Sequence, residues 1–291
     1  MPRLRFWGLL LWLLSTPASA FDHVVLISID GLRADAISKA ATPAIQRLLA
    51  RAIYTLNAHA VIPSYTMPNH TSMLTGLDPQ QHGITWNHRR LDSYSEQTIF
   101  TILETKGMST AAFVAKPKLE FLLRAADTAH IEPKPESEQL FTGKSVRNIT
   151  RLFTTQWDNA PPAFSFIHLR EPDSAGHEYE WMSDEYFNAV SLADAAVDKM
   201  VENIDASAVA HSTVIIITSD HGGSGNNHAA DLPENRTIPW VVILPEAHQA
   251  VVIRTSIRSY DTLPTILALL KVEFEEPISG QVPTEVLKAI K

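Results

Sequence analysis

The sequence predicts an α/β fold, with a central, mostly parallel sheet and helices on both faces. Three observations carry this reading. Short apolar runs rich in β-branched and aromatic residues recur along the chain and are nearly continuous, as strands buried on both faces must be. Longer amphipathic stretches alternate with them, the pattern of strand–helix–strand crossovers. Asp and His residues stand at the downstream ends of these runs, where open parallel sheets bind ligands.

Taken in order, the strands are read at 23–29, 111–115, 164–169, 214–217 and 240–244. The helices between them are read at 43–51, 67–74, 97–106, 184–204 and 262–270. Residues 116–162 differ: they are rich in Lys, Glu and Pro, as in Glu132-Pro133-Lys134-Pro135-Glu136, and carry no strong strand signal. They are read as an insertion beside the site, with one helix around 144–153.

The first twenty residues read as a secretory signal. Arg3 and Arg5 form a positive start, residues 6–14 an apolar run too short for a permanent span, and Ala18-Ser19-Ala20 a small-residue cleavage site. The expected organisation is a signal peptide over 1–20 and a single catalytic domain over 21–291, exported to the periplasm or secreted. No later stretch is apolar enough for a membrane helix. The 291 residues contain 45% hydrophobic and 19% charged residues, enough for a large core. A formal net charge of −8 argues against a partner such as a nucleic-acid polymer, which needs a basic surface. Small phosphate esters remain admissible. The absence of cysteine excludes thiolate metal sites and cysteine-derived nucleophiles, and leaves an exported fold without disulfides.

The candidate chemistry lies downstream of three strands. Strand 23–29 ends in Asp30-Gly31, strand 164–169 leads to Glu171-Pro172-Asp173-Ser174-Ala175-Gly176-His177, and strand 214–217 leads to Ser219-Asp220-His221-Gly222-Gly223. Alone, Asp30-Gly31 reads equally as a turn. Asp173 and His177 are four residues apart, a spacing that brings both to one side of a helical turn. Asp220 and His221 are adjacent, so they converge only if the chain leaves the strand there, and Gly222 and Gly223 offer a permissive backbone. His228 follows in a Gly/Asn-rich loop. Carboxylates and imidazoles without sulfur suit divalent metal ions, zinc best, with manganese or iron as alternatives. Three imidazoles disfavour calcium.

Thr66, in Pro63-Ser64-Tyr65-Thr66-Met67-Pro68-Asn69-His70-Thr71, lies near an expected helix start. It reads either as an N-cap or, beside metal ions that activate its hydroxyl, as a nucleophile. Ser64 and Thr71 are further hydroxyls in the same stretch. Asn87 reads as a turn asparagine or as a donor to a phosphoryl oxygen. Tyr65 and Trp86 are candidate substrate-pocket residues.

The ordered set Thr-x-Pro-Asn-His, His-Gly-Ile-x-x-Asn, Glu-Pro-Asp-x-x-Gly-His and Ser-Asp-His-Gly resembles the type I phosphodiesterase/nucleotide pyrophosphatase family of the alkaline phosphatase superfamily. The resemblance runs from Asp30 to Tyr260-Asp261-Thr262-Leu263-Pro264-Thr265. It implies an alkaline-phosphatase-like sandwich, two zinc ions, and cleavage of phosphodiester, pyrophosphate or phosphonate bonds through a phosphothreonine at Thr66. Carried over, Asp173, His177 and His228 match one metal site. Asp30, Thr66, Asp220 and His221 match the other, and Asn87 matches the phosphate-binding asparagine. The chain departs from larger members by a short loop of six residues between His221 and His228 and by lacking cysteine-rich modules. Nucleotide specificity is therefore not carried over. The alternatives are a phosphomonoesterase, with Arg89, Arg90 or Arg170 as the extra cation, and a catalytically silent binding protein using the same cleft.

Overall fold

The computed structural model describes residues 21–133 and 143–291. The signal-peptide stretch and residues 134–142 lie outside the described residues. Eight strands form one sheet: β1 (His23–Ile29), β2 (Ile53–His59), β3 (Thr110–Val114), β4 (Thr128–Ile131), β5 (Phe164–Leu169), β6 (Thr213–Thr218), β7 (Thr237–Ile243) and β8 (Val251–Val252). Their order is β4-β3-β5-β1-β6-β7-β2-β8. Every pairing is parallel except the two made by β7, which runs antiparallel to both β6 and β2.

Helices α1 (Pro43–Leu49), α2 (Thr66–Thr75), α3 (Pro79–His82), α4 (Ile99–Thr105), α5 (Lys144–Asn159), α6 (Glu171–Tyr179), α7 (Asp184–Asp205), α8 (Pro233–Arg236), α9 (Thr262–Leu269) and α10 (Thr284–Ala289) complete the fold. Alternation along β1 shows how the sheet sits between two cores. Val24 and Leu26 face one layer, with Met73 and Leu74 of α2, Phe100 of α4 and Ile266 of α9. Val25, Ile27 and Ile29 face the other, with Ile45 of α1, Phe153 and Trp157 of α5 and Val197 of α7. Both faces of the central strands are buried, which is why those strands read as unbroken apolar runs.

All five expected strands are present, and three more join them. β2 alternates buried and half-buried residues, β4 is four residues with none fully buried, and β8 is an exposed pair of valines. The edge strands β4 and β8, and β2 beside β8, need little apolar content, so the apolar-run criterion passes over them. The stretch 116–162 is accordingly more integral than an insertion without strands. β4 pairs in parallel with β3, and α5 buries Val146, Ile149, Phe153 and Trp157. The helix expected at 144–153 continues to Asn159.

Glu171, at the start of α6, ties that helix to α5. Its Oε1 accepts from the Val146 N–H at 2.5 Å, while Oε2 is buried without a partner. Burial pushes the carboxyl up from an ordinary 4.5 to about 7. The folded state therefore holds a proton that the unfolded chain has released, and stability falls as pH rises across that window. Glu171→Gln keeps the acceptor and removes the titration. It is expected to flatten the pH dependence between pH 5 and 8 and to add on the order of 2–3 kcal/mol at pH 8, read by urea denaturation.

Candidate functional site

β1, β3, β5 and β6 run in the same direction, so their carboxyl ends meet at one rim. β1 delivers Asp30. Gly31, with φ +72°, then turns the chain so tightly that an added Cβ would lie 2.8 Å from the Asp173 Cα. β5 leads directly into α6, whose first turns carry Asp173 and His177. β6 delivers Asp220 and His221, and the following loop returns His228 to the same place. Asp30, Asp173, Asp220, His221 and His228 are all buried.

The three imidazoles are oriented alike. Each places Nδ1 on a backbone carbonyl: His177 on Asn226 at 2.9 Å, His221 on Gly222 at 2.8 Å and His228 on Ser64 at 2.6 Å. With Nδ1–H donating there, each Nε2 presents its lone pair to the site. All three meet one carboxylate oxygen, Asp173 Oδ1, at 3.3 Å from His177, 3.8 Å from His221 and 3.7 Å from His228. The His221 Nε2 also stands 3.5 Å from Asp30 Oδ1 and 3.4 Å from Asp220 Oδ2. Asp30 Oδ1, Asp173 Oδ1, Asp220 Oδ2 and His221 Nε2 are buried with no hydrogen-bond partner. Lone pairs converging on lone pairs fit a cation.

Two three-residue groups have donor atoms within 4.8 Å of one another: Asp30, Asp220 and His221, and Asp173, His221 and His228. His221 belongs to both. His177 stands at the outer edge, 36% exposed, and reaches the second group through Asp173. Charge state follows burial. Burial, then His221, holds His228 down to about 3, and burial also lowers His221, so both imidazoles are neutral. Burial, then the adjacent Asp30, pushes Asp220 up to about 7. Burial opposes the charged form of Asp173, but Lys116 and the histidines hold it well below the usual carboxylate range. At His177 burial also opposes charge, and Asp173 outweighs it and draws the value up.

Thr66 is the first residue of α2, and the capping position is Tyr65, whose side chain makes no cap. The Thr66 hydroxyl is therefore not spent on capping. It accepts from Lys116 Nζ at 3.4 Å. The other hydroxyls are engaged: Ser64 donates to the His228 carbonyl, and Thr71 donates to the Met67 carbonyl at 2.7 Å. Asn87 Oδ1 accepts from the Met67 N–H at 3.2 Å and from Lys118 Nζ at 2.8 Å. Those two bonds fix the amide so that Nδ2 is the donor left to face a ligand.

Residues 24–277 match the family described as Type I phosphodiesterase / nucleotide pyrophosphatase. The chain belongs to that family. Ectonucleotide pyrophosphatase/phosphodiesterase family member 1 of Homo sapiens is 29% identical over 214 residues, covering 68% of this chain and 23% of that protein. A bis(5'-adenosyl)-triphosphatase of Xenopus laevis is 26% identical over 219 residues, covering 70% of this chain and 48% of that one. The chain thus spans about a quarter of the length of the first of these relatives. Among solved structures, murine ectonucleotide pyrophosphatase/phosphodiesterase 5, as an inactive form in complex with AMP, superposes with a TM-score of 0.74 at 16% identity, covering 89% of this chain and 97% of that one. A 2-O GAG sulfatase superposes with the same TM-score of 0.74 at 14% identity, covering 93% and 75%. The fold is that of the alkaline-phosphatase-like sandwich. No described helix is long and apolar enough to cross a membrane.

Within this phosphodiesterase-family frame the structure adds residues that sequence reasoning missed. Lys116 Nζ lies 2.7 Å from Asp30 Oδ2 and 2.5 Å from Asp173 Oδ2. Its signal was available: Lys116 follows β3 at the rim where Asp30 follows β1. Two buried histidines brace the carboxylates from below. The His168 Nε2–H donates to Asp30 Oδ2 at 2.8 Å, and His70 Nδ1 lies 3.5 Å from Asp220 Oδ2. A histidine inside the apolar run of β5 was the hint for His168.

The remaining candidates are placed as follows. Tyr65 packs edge-on to His228 with ring centroids 5.7 Å apart, and Trp86 packs edge-on to Phe121 at 5.1 Å. Neither lines the cavity beside Asn87. Gly222 and Gly223, read as a permissive backbone after β6, are not among the glycines with positive φ. They are required for space, because an added Cβ would fall 2.1 Å from the Glu234 carbonyl oxygen and 2.1 Å from the Trp181 ring respectively. Arg89 and Arg90 are paired to Glu120 at 2.8 Å and Asp92 at 2.7 Å, and Arg170 Nε donates to Ser174 at 3.1 Å.

Proposed function

We propose that this chain is a metal-dependent phosphohydrolase that cleaves phosphodiester, pyrophosphate or phosphonate bonds through a covalent phosphothreonine at Thr66. The observation that carries the reading is the convergence of three Nε2 lone pairs on Asp173 Oδ1, in the cleft that also holds the Thr66 hydroxyl. In this reading Asp30, Asp220 and His221, with Thr66, hold one divalent ion, and Asp173, His177 and His228 hold a second. Zinc suits these carboxylate and neutral imidazole donors best. When bound, two such ions supply positive charge to the attacking and departing oxygens of an in-line displacement.

The protein's own groups do the rest. Thr66 Oγ1 loses its proton to water and forms a bond to phosphorus as the bond to the leaving oxygen breaks, the leaving oxygen taking up a proton from water. A second water then breaks the threonine ester from the opposite side and a proton returns to Oγ1. Lys116 is an ammonium: burial opposes its charge, but Asp173 and Asp30 outweigh it and raise its value. Its Nζ donates toward Thr66 Oγ1 at 3.4 Å. Asn87 Nδ2 and the Thr66 N–H at the start of α2 donate to the equatorial phosphoryl oxygens. Residues 21–291 form one catalytic unit in this reading. The Arg3, Arg5, 6–14 and Ala18-Ser19-Ala20 pattern supports export, and the substrate is a small phosphate ester.

Nitrophenol release from bis-p-nitrophenyl phosphate tests the reading. Zinc-loaded protein is expected to turn the diester over, a chelator to abolish turnover, and added zinc to restore it. Bound metal without turnover of any ester would leave only a binding cleft.

A further inference from the structure

Beside the nucleophile lies a cavity of about 720 Å³ whose lining includes Asn87, Lys116, Lys118, Arg170, Glu120 and Glu132. Arg89, Lys116, Lys118 and Arg170 share the walls with Glu120, Glu132 and Asp173. Most of that charge is already matched. Lys116 is held by Asp30 and Asp173, and Arg89, also in the lining, is held by Glu120. Lys118 is different. Its Nζ donates to the neutral Asn87 Oδ1 at 2.8 Å, and among the described residues no carboxylate pairs with it.

We propose that Lys118 forms a second anion subsite, so that preferred substrates carry, besides the reacting phosphoryl group, a further carboxylate or phosphate on the substituent that enters this cavity. The inference rests on the hydrolase reading for its first subsite only. Asn87 links the two subsites. The Oδ1 of its amide receives both Lys118 and the Met67 N–H, next to Thr66. An anion held by Lys118 therefore lies one hydrogen-bonded side chain away from the reacting centre. Holding an unmatched ammonium here is costly: burial, then Lys116, bring Lys118 down to about 8. A ligand carboxylate or phosphate restores that charge with a charge-assisted hydrogen bond. The three arginines considered from sequence as extra cations do not take this place, since Arg89 and Arg90 are paired with carboxylates and Arg170 bonds to Ser174.

The test compares three probes of similar length on the full zinc-loaded chain by calorimetry: propylphosphonate, 3-phosphonopropionate and ethane-1,2-bisphosphonate. Zinc content is measured after each titration. The second anion is expected to tighten binding about tenfold or more in the unsubstituted protein. In Lys118→Met that gain is expected to fall below about twofold, and Lys118→Arg is expected to keep most of it. The stronger of the two probes with a second anionic group identifies carboxylate or phosphonate, standing for phosphate, as the group recognised. Equal binding of all three probes by the unsubstituted protein overturns the proposal. So does a uniform loss for all three in Lys118→Met, which marks a structural role through Asn87. Turnover of bis-p-nitrophenyl phosphate is scored separately, so failure of the hydrolase reading and failure of the second subsite are told apart.

Discussion

Replacement of Thr66 by alanine is expected to lower turnover of bis-p-nitrophenyl phosphate by on the order of 10³ to 10⁵ while the bound metal and the fold persist. The size of the effect follows from what the hydroxyl does and does not touch. It caps nothing, because Tyr65 holds the capping position and α2 begins at Thr66 itself. Asn87 secures the next N–H in the helix, so the start of α2 is held without it. The proposed ion beside it keeps Asp30, Asp220 and His221. What is lost is the atom that bonds to phosphorus. Thr66→Ser retains that atom and is expected to keep part of the activity. Denatured protein quenched during turnover carries one phosphoryl adduct in this scheme, found by mass spectrometry on the peptide containing Thr66. Near-normal hydrolysis by Thr66→Ala, or an adduct elsewhere, would falsify the nucleophile.

Much of this site was legible in the sequence because parallel sheets concentrate function at one rim. Asp30, Asp173 and Asp220 each follow a strand whose apolar run marks its end, so reading the runs located the three buried carboxylates. Lys116 obeys the same rule after β3, yet its neighbours Pro117, Lys118 and Glu120 give the stretch the look of a polar loop. The edges, and β2 next to one of them, were less legible. β4 and β8 bury little, and β2 mixes apolar positions with Thr and Asn, so hydrophobic periodicity says little about them. Gly222 and Gly223 were read through backbone freedom, but their role depends on Glu234 and Trp181, distant partners that no local pattern reveals. The tautomers that aim three Nε2 atoms into the site likewise depend on carbonyls of Ser64, Gly222 and Asn226, two of them far along the chain from the histidine they hold.

The sharing of His221 between two donor groups leads to the second large effect. His221→Ala is expected to deplete both proposed ions, where His177→Ala weakens one. His221 Nε2 lies 3.4 Å from Asp220 Oδ2, 3.5 Å from Asp30 Oδ1 and 3.8 Å from Asp173 Oδ1, so its lone pair belongs to the junction of the three carboxylates. Its ring stacks on His228 with centroids 3.7 Å apart and planes 9° from parallel. Losing it therefore also frees the neighbouring ligand to tilt. Three carboxylates then face one another with less to neutralise them, and burial together with Asp30 already holds Asp220 near pH 7. Protons take up charge that cations otherwise neutralise, so metal affinity falls most steeply below neutrality. His177 is one-third exposed and touches only Asp173 among the three carboxylates. Its loss leaves His221 and His228 in place. Dialysis against a graded zinc buffer, followed by metal analysis and circular dichroism, separates the cases. His221→Ala should lose zinc and on the order of 10³ or more in turnover, while His177→Ala retains part of both. Two tightly held ions per folded chain in His221→Ala would show that the two groups do not depend on a shared imidazole, and the stacked pair would then owe its place to packing alone.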